Sequence, residues 1–223
     1  LGWLDEPLTY DGRGGDDMIG AGASDDTVYG GSGDDTITDA GGTNVIDAGT
    51  GNDVVTASGS NTVYAGDGND TVTVNYVGAN RLEGGAGDDL LKVTHNWANG
   101  VDAGYRNEST LFVGGAGNDR MEGSSGADTY VFDRGDGADT ILDIGINPWG
   151  WDGCIKSDAV QFGAGISASD LAVSRVGDHM VIGINDPANP LAADRITVEN
   201  WFASPAYRIE TFKFADGTSI GIG

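Results

Sequence analysis

Residues 30–38 read Gly-Gly-Ser-Gly-Asp-Asp-Thr-Ile-Thr, and the same nine-residue grammar returns as Ala48-Gly-Thr-Gly-Asn-Asp-Val-Val-Thr56 and Ala65-Gly-Asp-Gly-Asn-Asp-Thr-Val-Thr73. It recurs again as Gly84-Gly-Ala-Gly-Asp-Asp-Leu-Leu-Lys92 and Gly114-Gly-Ala-Gly-Asn-Asp-Arg-Met-Glu122. The shared pattern is G-G-x-G-x-D-x-U-x, with U apolar, and weaker copies fill the gaps. The eighth position is occupied in turn by Ile19, Val28, Ile37, Ile46, Val55, Val63, Val72, Leu82, Leu91, Val101, Phe112, Met121, Tyr130 and Ile141, all apolar or aromatic. Glycine admits positive φ and a tight turn, and the three residues after the Asp are too few for a helix but suit a short strand. Each repeat is half a coil. Two repeats make one turn of a flattened helix of strands, with the U side chains stacked inside and the glycine turns along two long edges.

On that geometry the sixth positions meet their equivalents every second repeat and form two columns. One reads Asp17, Asp35, Asp53, Asp70, Asp89; the other reads Asp26, Asn44, Asn61, Asn80, Asn99. The spacings 18, 18, 17 and 19 in the first column place single-residue slips near Ala57 and Val74. Carboxylates stacked at strand spacing, about 4.8 Å, repel one another unless a cation lies between them. Oxygen-only donors, carboxylate and turn carbonyl, favour Ca²⁺ over zinc or copper. The expected carboxylate ligands are Asp17, Asp26, Asp35, Asp53, Asp70, Asp89, Asp119, Asp128 and Asp139. The expected carbonyl ligands are Gly31, Gly33, Gly49, Gly51, Gly66, Gly68, Gly85, Gly87, Gly115 and Gly117. The Asn column, neutral after its first member, is expected to close as a hydrogen-bonded ladder, because Asn bonds locally and tolerates left-handed backbone. Past an irregular stretch at 103–110 the full repeat returns. Thr110, a poor ligand, falls on a sixth position there, so the final portion is expected either to bind calcium on both edges or to break into two stacked pieces.

Composition agrees with a cation-dependent chain. The 223 residues carry 35 acidic side chains against 11 basic ones, a net of -24. Residues 1–145 hold 30 of the 39 glycines and a net of -20, from 26 acidic and 6 basic residues. A chain so polar and so charged cannot bury enough apolar surface to offset its conformational entropy, so this segment should not fold unaided. The acidity argues against nucleic acid as a partner, and no apolar run approaches the ~18 residues that span a bilayer, so membrane insertion by this segment is not expected. The start lacks a signal peptide and an initiator Met, which points to a piece of a longer protein. Residues 146–223 are more ordinary, with strand-like stretches at 158–162, 196–198 and 208–214.

The repeats resemble the nonapeptide repeats of the repeats-in-toxin (RTX) family, proteins secreted by Gram-negative bacteria. Gly126-Ala-Asp-Thr-Tyr-Val-Phe-Asp-Arg-Gly-Asp-Gly-Ala-Asp-Thr-Ile141 looks like the closing turn of such rolls. Asp194-Arg-Ile-Thr-Val-Glu-Asn-Trp-Phe202 and Arg208-Ile-Glu-Thr-Phe-Lys-Phe-Ala-Asp-Gly-Thr218 are similar to the haemolysin-related domain that follows them in pore-forming toxins, adenylate cyclase toxins and adhesins. The resemblance implies an all-β fold, a right-handed parallel β-roll that folds on binding several Ca²⁺ ions. It implies an N-terminal edge at 1–10, a roll over 11–143 with a possible break near 103–113, and a flanking cap over 144–223 packed through Trp201, Phe202, Ile209 and Phe212. It also implies type I secretion, an extracellular or cell-surface location, and an export signal at the extreme C-terminus that this segment is expected to lack.

Other chemistry finds little support. His95 and His179 lie in no zinc motif and are expected to be surface or packing residues. Cys154 has neither a second Cys nor a partner base. Trp149, Trp151, Trp201 and Phe202 fall in the least acidic region and read as core. Glycosidase carboxylates would need different environments across a cleft, whereas these are spaced along an edge. The segment is therefore expected not to be an enzyme. A second reading is an adhesion module, rigidified by calcium, that binds a glycan, ice or a cell-surface ligand. Gly49-Thr-Gly-Asn-Asp53 resembles ice-binding repeats, but the outward pairs Ser32/Asp34, Asp67/Asn69 and Ala86/Asp88 keep no regular Thr/Asx file.

Overall fold

The computed structural model describes residues 6–75, 78–94, 109–124, 126–144, 157–189 and 193–221. His95, Asn99, Val101, Trp149, Trp151 and Cys154 lie outside them. The chain is a parallel β-roll of two ten-stranded sheets. The first sheet holds β1 (Thr9–Asp11), β3 (Thr27–Ser32), β5 (Thr43–Thr50), β7 (Ser60–Asp67), β9 (Asn80–Ala86), β11 (Thr110–Ala116), β13 (Thr129–Phe132), β15 (Ala159–Phe162), β19 (Thr211–Lys213) and β20 (Ser219–Gly221), in that order. The second holds β2 (Met18–Gly20), β4 (Thr36–Thr38), β6 (Val54–Ser58), β8 (Thr71–Asn75), β10 (Leu90–Thr94), β12 (Arg120–Glu122), β14 (Ala138–Leu142), β18 (Arg195–Val198), β17 (His179–Ile184) and β16 (Leu171–Val176). Successive strands alternate between the sheets as far as β16, so the glycine turns of the repeats lie along two edges.

The eighth-position side chains stack in register as the periodicity demands. Val28 lies beside Ile46, Ile46 beside Val63 and Val63 beside Leu82 in one sheet, with Ile37, Val55, Val72 and Leu91 in the other. All are fully buried. Strand alternation adds a second interior column of small residues, Ala48, Ala57, Ala65 and Val74. The core thickens toward the C-terminus. There Phe112 stacks on Tyr130, centroids 5.0 Å apart, and Phe162 packs against Phe214 at 5.3 Å and Phe212 at 6.4 Å. Aromatic stacking adds to the area such side chains bury.

The roll is not divided near 103–113. Thr110 pairs directly with Asn80 and Phe112 with Leu82, while Leu91 pairs with Met121, so both ladders run straight across the irregular segment. Strict alternation would have placed Asn99 and Val101 on these rungs; instead the register closes over a spacing of 30 residues, visible in the bond from Asp89 to Asp119.

The parallel ladder also continues beyond residue 143. β15 pairs parallel with β13, β18 with β14 and β19 with β15, and only then do antiparallel partners follow, β17 and β16 on one sheet and β20 on the other. The C-terminal region thus supplies three more rungs as well as the terminal strands. Trp201, Ile209 and Phe212 are buried in its core. Phe202 is not: it is 39% exposed, with the Arg175 guanidinium 4.4 Å above its ring. The strand β18 ends at Val198, and Phe202 lies in the turn that follows it, where Trp201 faces the core and Phe202 the surface.

Candidate calcium sites along the edges

Each sixth-position Asp is placed by the turn before it. In Gly30-Gly-Ser-Gly the second and fourth residues, Gly31 and Gly33, have φ of 113° and 122°, and the equivalent pairs Gly49/Gly51, Gly66/Gly68, Gly85/Gly87 and Gly115/Gly117 share this left-handed backbone. Side chains are excluded there for a second reason. A Cβ on Gly68 would lie 1.8 Å from the carbonyl oxygen of Gly51 in the neighbouring turn. The turns are stacked backbone on backbone, and the carbonyls of one coil face the next.

Along the first edge, the backbone N–H of Asp17 donates to Asp35 Oδ1 at 2.8 Å, Asp35 to Asp53 at 2.7 Å, Asp53 to Asp70 at 2.7 Å and Asp70 to Asp89 at 2.8 Å. The series continues from Asp89 to Asp119 at 2.8 Å and from Asp119 to Asp139 at 3.1 Å. One oxygen of each carboxylate from Asp35 onward is thereby used. The other, Oδ2 of Asp17, Asp35, Asp53, Asp70, Asp89, Asp119 and Asp139, is buried and receives no hydrogen bond. A buried anionic oxygen without a donor or a cation is among the costliest arrangements a fold can hold. Burial accordingly pushes the carboxyls of Asp70 and Asp119 up to about 6, Asp89 to about 7 and Asp139 to about 8, with neighbouring carboxylates adding to the rise against the backbone hydrogen bonds that lower it. Asp53 is raised for the same reasons.

The second edge is wired differently. Asn44 Nδ2 donates to Asn61 Oδ1 at 2.9 Å and to Asp39 Oδ1 at 2.7 Å; the N–H of Asn61 donates to Asn80 Oδ1 at 2.9 Å, and Asn80 Nδ2 to the Gly78 carbonyl at 2.9 Å. The amides satisfy one another. At Thr110 the side-chain ladder is interrupted, and the N–H of Asn80 turns to the carbonyl of Ser109 at 3.3 Å. Beyond it the column regains charge. Thr110 N–H donates to Asp128 Oδ1 at 2.8 Å, Asp128 N–H to Asp158 Oδ1 at 2.9 Å and Asp158 N–H to Glu210 Oε2 at 2.9 Å. Asp26 belongs to this edge too, accepting from Leu8 N–H at 2.8 Å.

Two carboxylates, Asp143 and Asp158, join the expected ligand Asp128 and were not legible as site residues in the sequence. Asp128, Asp143 and Asp158, all fully buried, bring oxygens within 4.8 Å of one another, and Tyr130 Oη donates to Asp143 Oδ2 at 2.8 Å. Burial and the Asp143 charge keep that phenol protonated. Asp39 stands at the equivalent place near the other end, its Oδ2 buried without a hydrogen bond and its carboxyl raised by burial to about 6. The shared signal is the string Asp35-Thr-Ile-Thr-Asp39 and Asp139-Thr-Ile-Leu-Asp143, in which a carboxylate follows a strand as well as preceding it. A further file, the fifth-position residues, tethers the turns in the opposite sense: Asn52 N–H donates to Asp34 Oδ1 at 2.7 Å and Asp88 N–H to Asn69 Oδ1 at 2.7 Å. His179, by contrast, serves structure, its Nδ1 accepting from Asn200 N–H at 3.1 Å.

A file of buried, donor-free carboxylate oxygens facing glycine turns fits a hard divalent cation held by oxygen alone. The chain belongs to the RTX calcium-binding nonapeptide repeat family, whose model matches residues 9–37, 20–55, 38–72, 76–92 and 109–141, together just over half of the chain. Residues 179–222 match the haemolysin-type calcium binding protein related domain. Over 97 residues the chain is 32% identical to the iron-regulated protein FrpA of Neisseria meningitidis serogroup C; the match covers 42% of this chain and 8% of that protein. Among solved structures, the extracellular lipase LipA from Serratia marcescens is similar over 88% of this chain and 38% of its own, at 19% identity and a TM-score of 0.38.

Proposed function

We propose that this segment is a calcium-dependent folding module of a secreted protein, a binding and folding element rather than a catalyst. Without a cation the aspartate edge brings together buried carboxylates that resist ionisation, so at neutral pH and low calcium the unfolded chain is favoured. Bound calcium supplies the positive charge that the donor-free oxygens lack. The residues that hold it are Asp17, Asp35, Asp53, Asp70, Asp89, Asp119 and Asp139, with the carbonyls of the positive-φ glycines Gly31, Gly33, Gly49, Gly51, Gly66, Gly68, Gly85, Gly87, Gly115 and Gly117. Asp26 and Asp128 serve the other edge at its two ends, Asp128 with Asp143 and Asp158. Because each turn is bonded to both neighbours, ordering one lowers the entropy cost of ordering the next, and folding is cooperative in calcium.

This behaviour suits export. A cytoplasm poor in calcium leaves the chain extended for passage through a type I channel, and millimolar calcium outside folds it. Each site at 100 times its dissociation constant contributes about 2.7 kcal/mol. The C-terminal rungs, with the thickest apolar core and the least charge, are where folding starts. A toxin or an adhesin is the parent that this arrangement suits, acting outside a Gram-negative cell.

The observation that carries the reading is the file of donor-free Oδ2 atoms. Far-UV circular dichroism of the chain in chelator, followed through a calcium titration with magnesium as control, tests it. A β signal that rises sigmoidally with calcium, and far less with magnesium, is expected; a fully structured chain in excess chelator overturns it.

A further inference from the structure

The outer face of the first sheet carries an alternation that the calcium sites do not use. Reading across the strands from β1 to β9, one position runs Asp11, Tyr29, Asp47, Tyr64, Glu83, each residue directly paired with the next. Carboxylate and tyrosine alternate over five rungs. Both rings stand clear of the core, Tyr29 45% and Tyr64 39% exposed, and exposed Val45 lies in the adjoining column. In-register pairing through Asp47 and strand spacing set the two tyrosines roughly 9.6 Å apart along the roll axis.

We propose that this face binds a linear, uncharged polysaccharide laid along the roll axis. An extended glycan whose successive sugars alternate in orientation presents the same apolar ring face at every second residue, which matches aromatic platforms on every second rung. Tyrosine suits the task because its ring offers a rigid apolar face and its hydroxyl stays in water. The intervening carboxylate of Asp47 is an acceptor for sugar hydroxyls, while Glu83 is already paired with Arg81. The acidic file repels sulfated, phosphorylated or uronic acid polymers, so the ligand carries no negative charge. The proposal deepens the adhesive reading of the roll and rests on the roll being ordered by calcium.

The test is depletion of the calcium-loaded chain from solution by suspended microcrystalline cellulose and chitin, beside heparin beads and polylysine beads. Saturable uptake by at least one uncharged polymer, with none on heparin, is expected. Tyr29→Thr combined with Tyr64→Thr, which keeps strand-forming residues on the face, should weaken uptake at least tenfold while leaving the calcium titration of the dichroism signal unchanged; Asp47→Asn should weaken it less. No uptake by either uncharged polymer, capture by polylysine alone, or uptake indifferent to both tyrosines overturns the proposal. The dichroism arm separates the two readings: a normal calcium response without polymer uptake sinks only the glycan face, whereas uptake in chelator by an already folded chain sinks the calcium switch instead.

Discussion

The two edges of the roll turn on different glycines, pairs such as Gly49/Gly51 and Gly66/Gly68 on one and the single positive-φ Gly59 and Gly78 on the other, and their sixth residues differ in one atom. On one, Asp35, Asp53, Asp70, Asp89 and Asp119 stack; on the other, Asn44, Asn61 and Asn80 occupy the equivalent rungs. Either side chain offers an Oδ1 that accepts from the turn before it. The second atom decides the rest. An amide Nδ2 donates, to Asn61 Oδ1 from Asn44 and to the Ser58 carbonyl from Asn61, and the amide side chains are satisfied within the protein. A carboxylate Oδ2 cannot donate, and the edge stays incomplete until something positive arrives. Calcium dependence on this view belongs to one side of the solenoid over the rungs from Asn44 to Asn80, and the neutral side is a hinge-like seam that holds those turns together whatever the ion.

The largest test of that contrast substitutes equal numbers on each side. Asp70→Ala with Asp89→Ala removes two central members of the acidic column and is expected to raise the calcium midpoint at least tenfold and flatten the titration. Asn61→Ala with Asn80→Ala leaves the Asn61 backbone N–H without its acceptor, at about 1–3 kcal/mol, and removes one of the hydrogen bonds of Asn44 Nδ2, but keeps the steepness of the calcium response. Equal loss of steepness in both pairs would erase the distinction between the edges.

Backbone substitutions sharpen the comparison from the turn side. Gly68→Ala places a methyl against the Gly51 carbonyl at φ +140°, whereas Gly217, at φ +86°, has nothing within 4 Å of the corresponding position. Gly217→Ala is expected to cost about 1–2 kcal/mol for conformation alone. Gly68→Ala forces the stacked coils apart and should prevent the calcium-induced signal at millimolar ion. Urea titrations in calcium measure both.

How far these features could be read in advance follows from their range. The columns, the interior stack and the Asp/Asn sorting are consequences of a nine-residue period, and the local turn Gly31-Ser-Gly33 sets them rung by rung. The passage from Asn80 to Thr110 was hidden because inserted residues conserve no register; only the pairing of Leu82 with Phe112 reveals which rung follows which. β15, β18 and β19 extend the ladder without a nonapeptide motif before them, and so they carried no repeat to find. Asp128 and Asp158 meet because β13 and β15 are neighbours, and Asp143 joins them from the end of β14, a contact between residues that no short spacing announces. Phe202 was misjudged by composition: an aromatic next to the buried Trp201 lies on the opposite side of the chain.

Acid should act on the aspartate edge as a weak substitute for the ion. Ordinary aspartates ionise near 3.8, and in the roll Asp70, Asp119, Asp89 and Asp139 are raised to about 6, 6, 7 and 8, chiefly by burial. Between pH ~4 and ~8 the folded chain therefore binds more protons than the unfolded one, and metal-free stability falls as pH rises through that window. Dichroism in chelator is expected to gain β signal from pH 8 to pH 5.5, while in limiting calcium the midpoint moves to higher ion as protons compete for the same oxygens. A metal-free signal that grows with rising pH would contradict the burial of these groups.

The smallest effect expected lies where the neutral seam is interrupted. Asn80 N–H reaches only the Ser109 carbonyl at 3.3 Å, because the Thr110 hydroxyl is too short to extend the side-chain ladder, while Thr110 N–H is itself bonded to Asp128 Oδ1. Thr110→Asn offers an Oδ1 to Asn80 and should stabilise the calcium-loaded roll by about 0.5–1.5 kcal/mol, the worth of one neutral hydrogen bond, without changing the slope of the calcium titration. Thr110→Asp offers the same acceptor together with a charge beside Asp128, so it should lose stability in low calcium and recover it as calcium rises. If the two variants behaved alike in chelator, the difference between amide and carboxylate would not be what divides the edges.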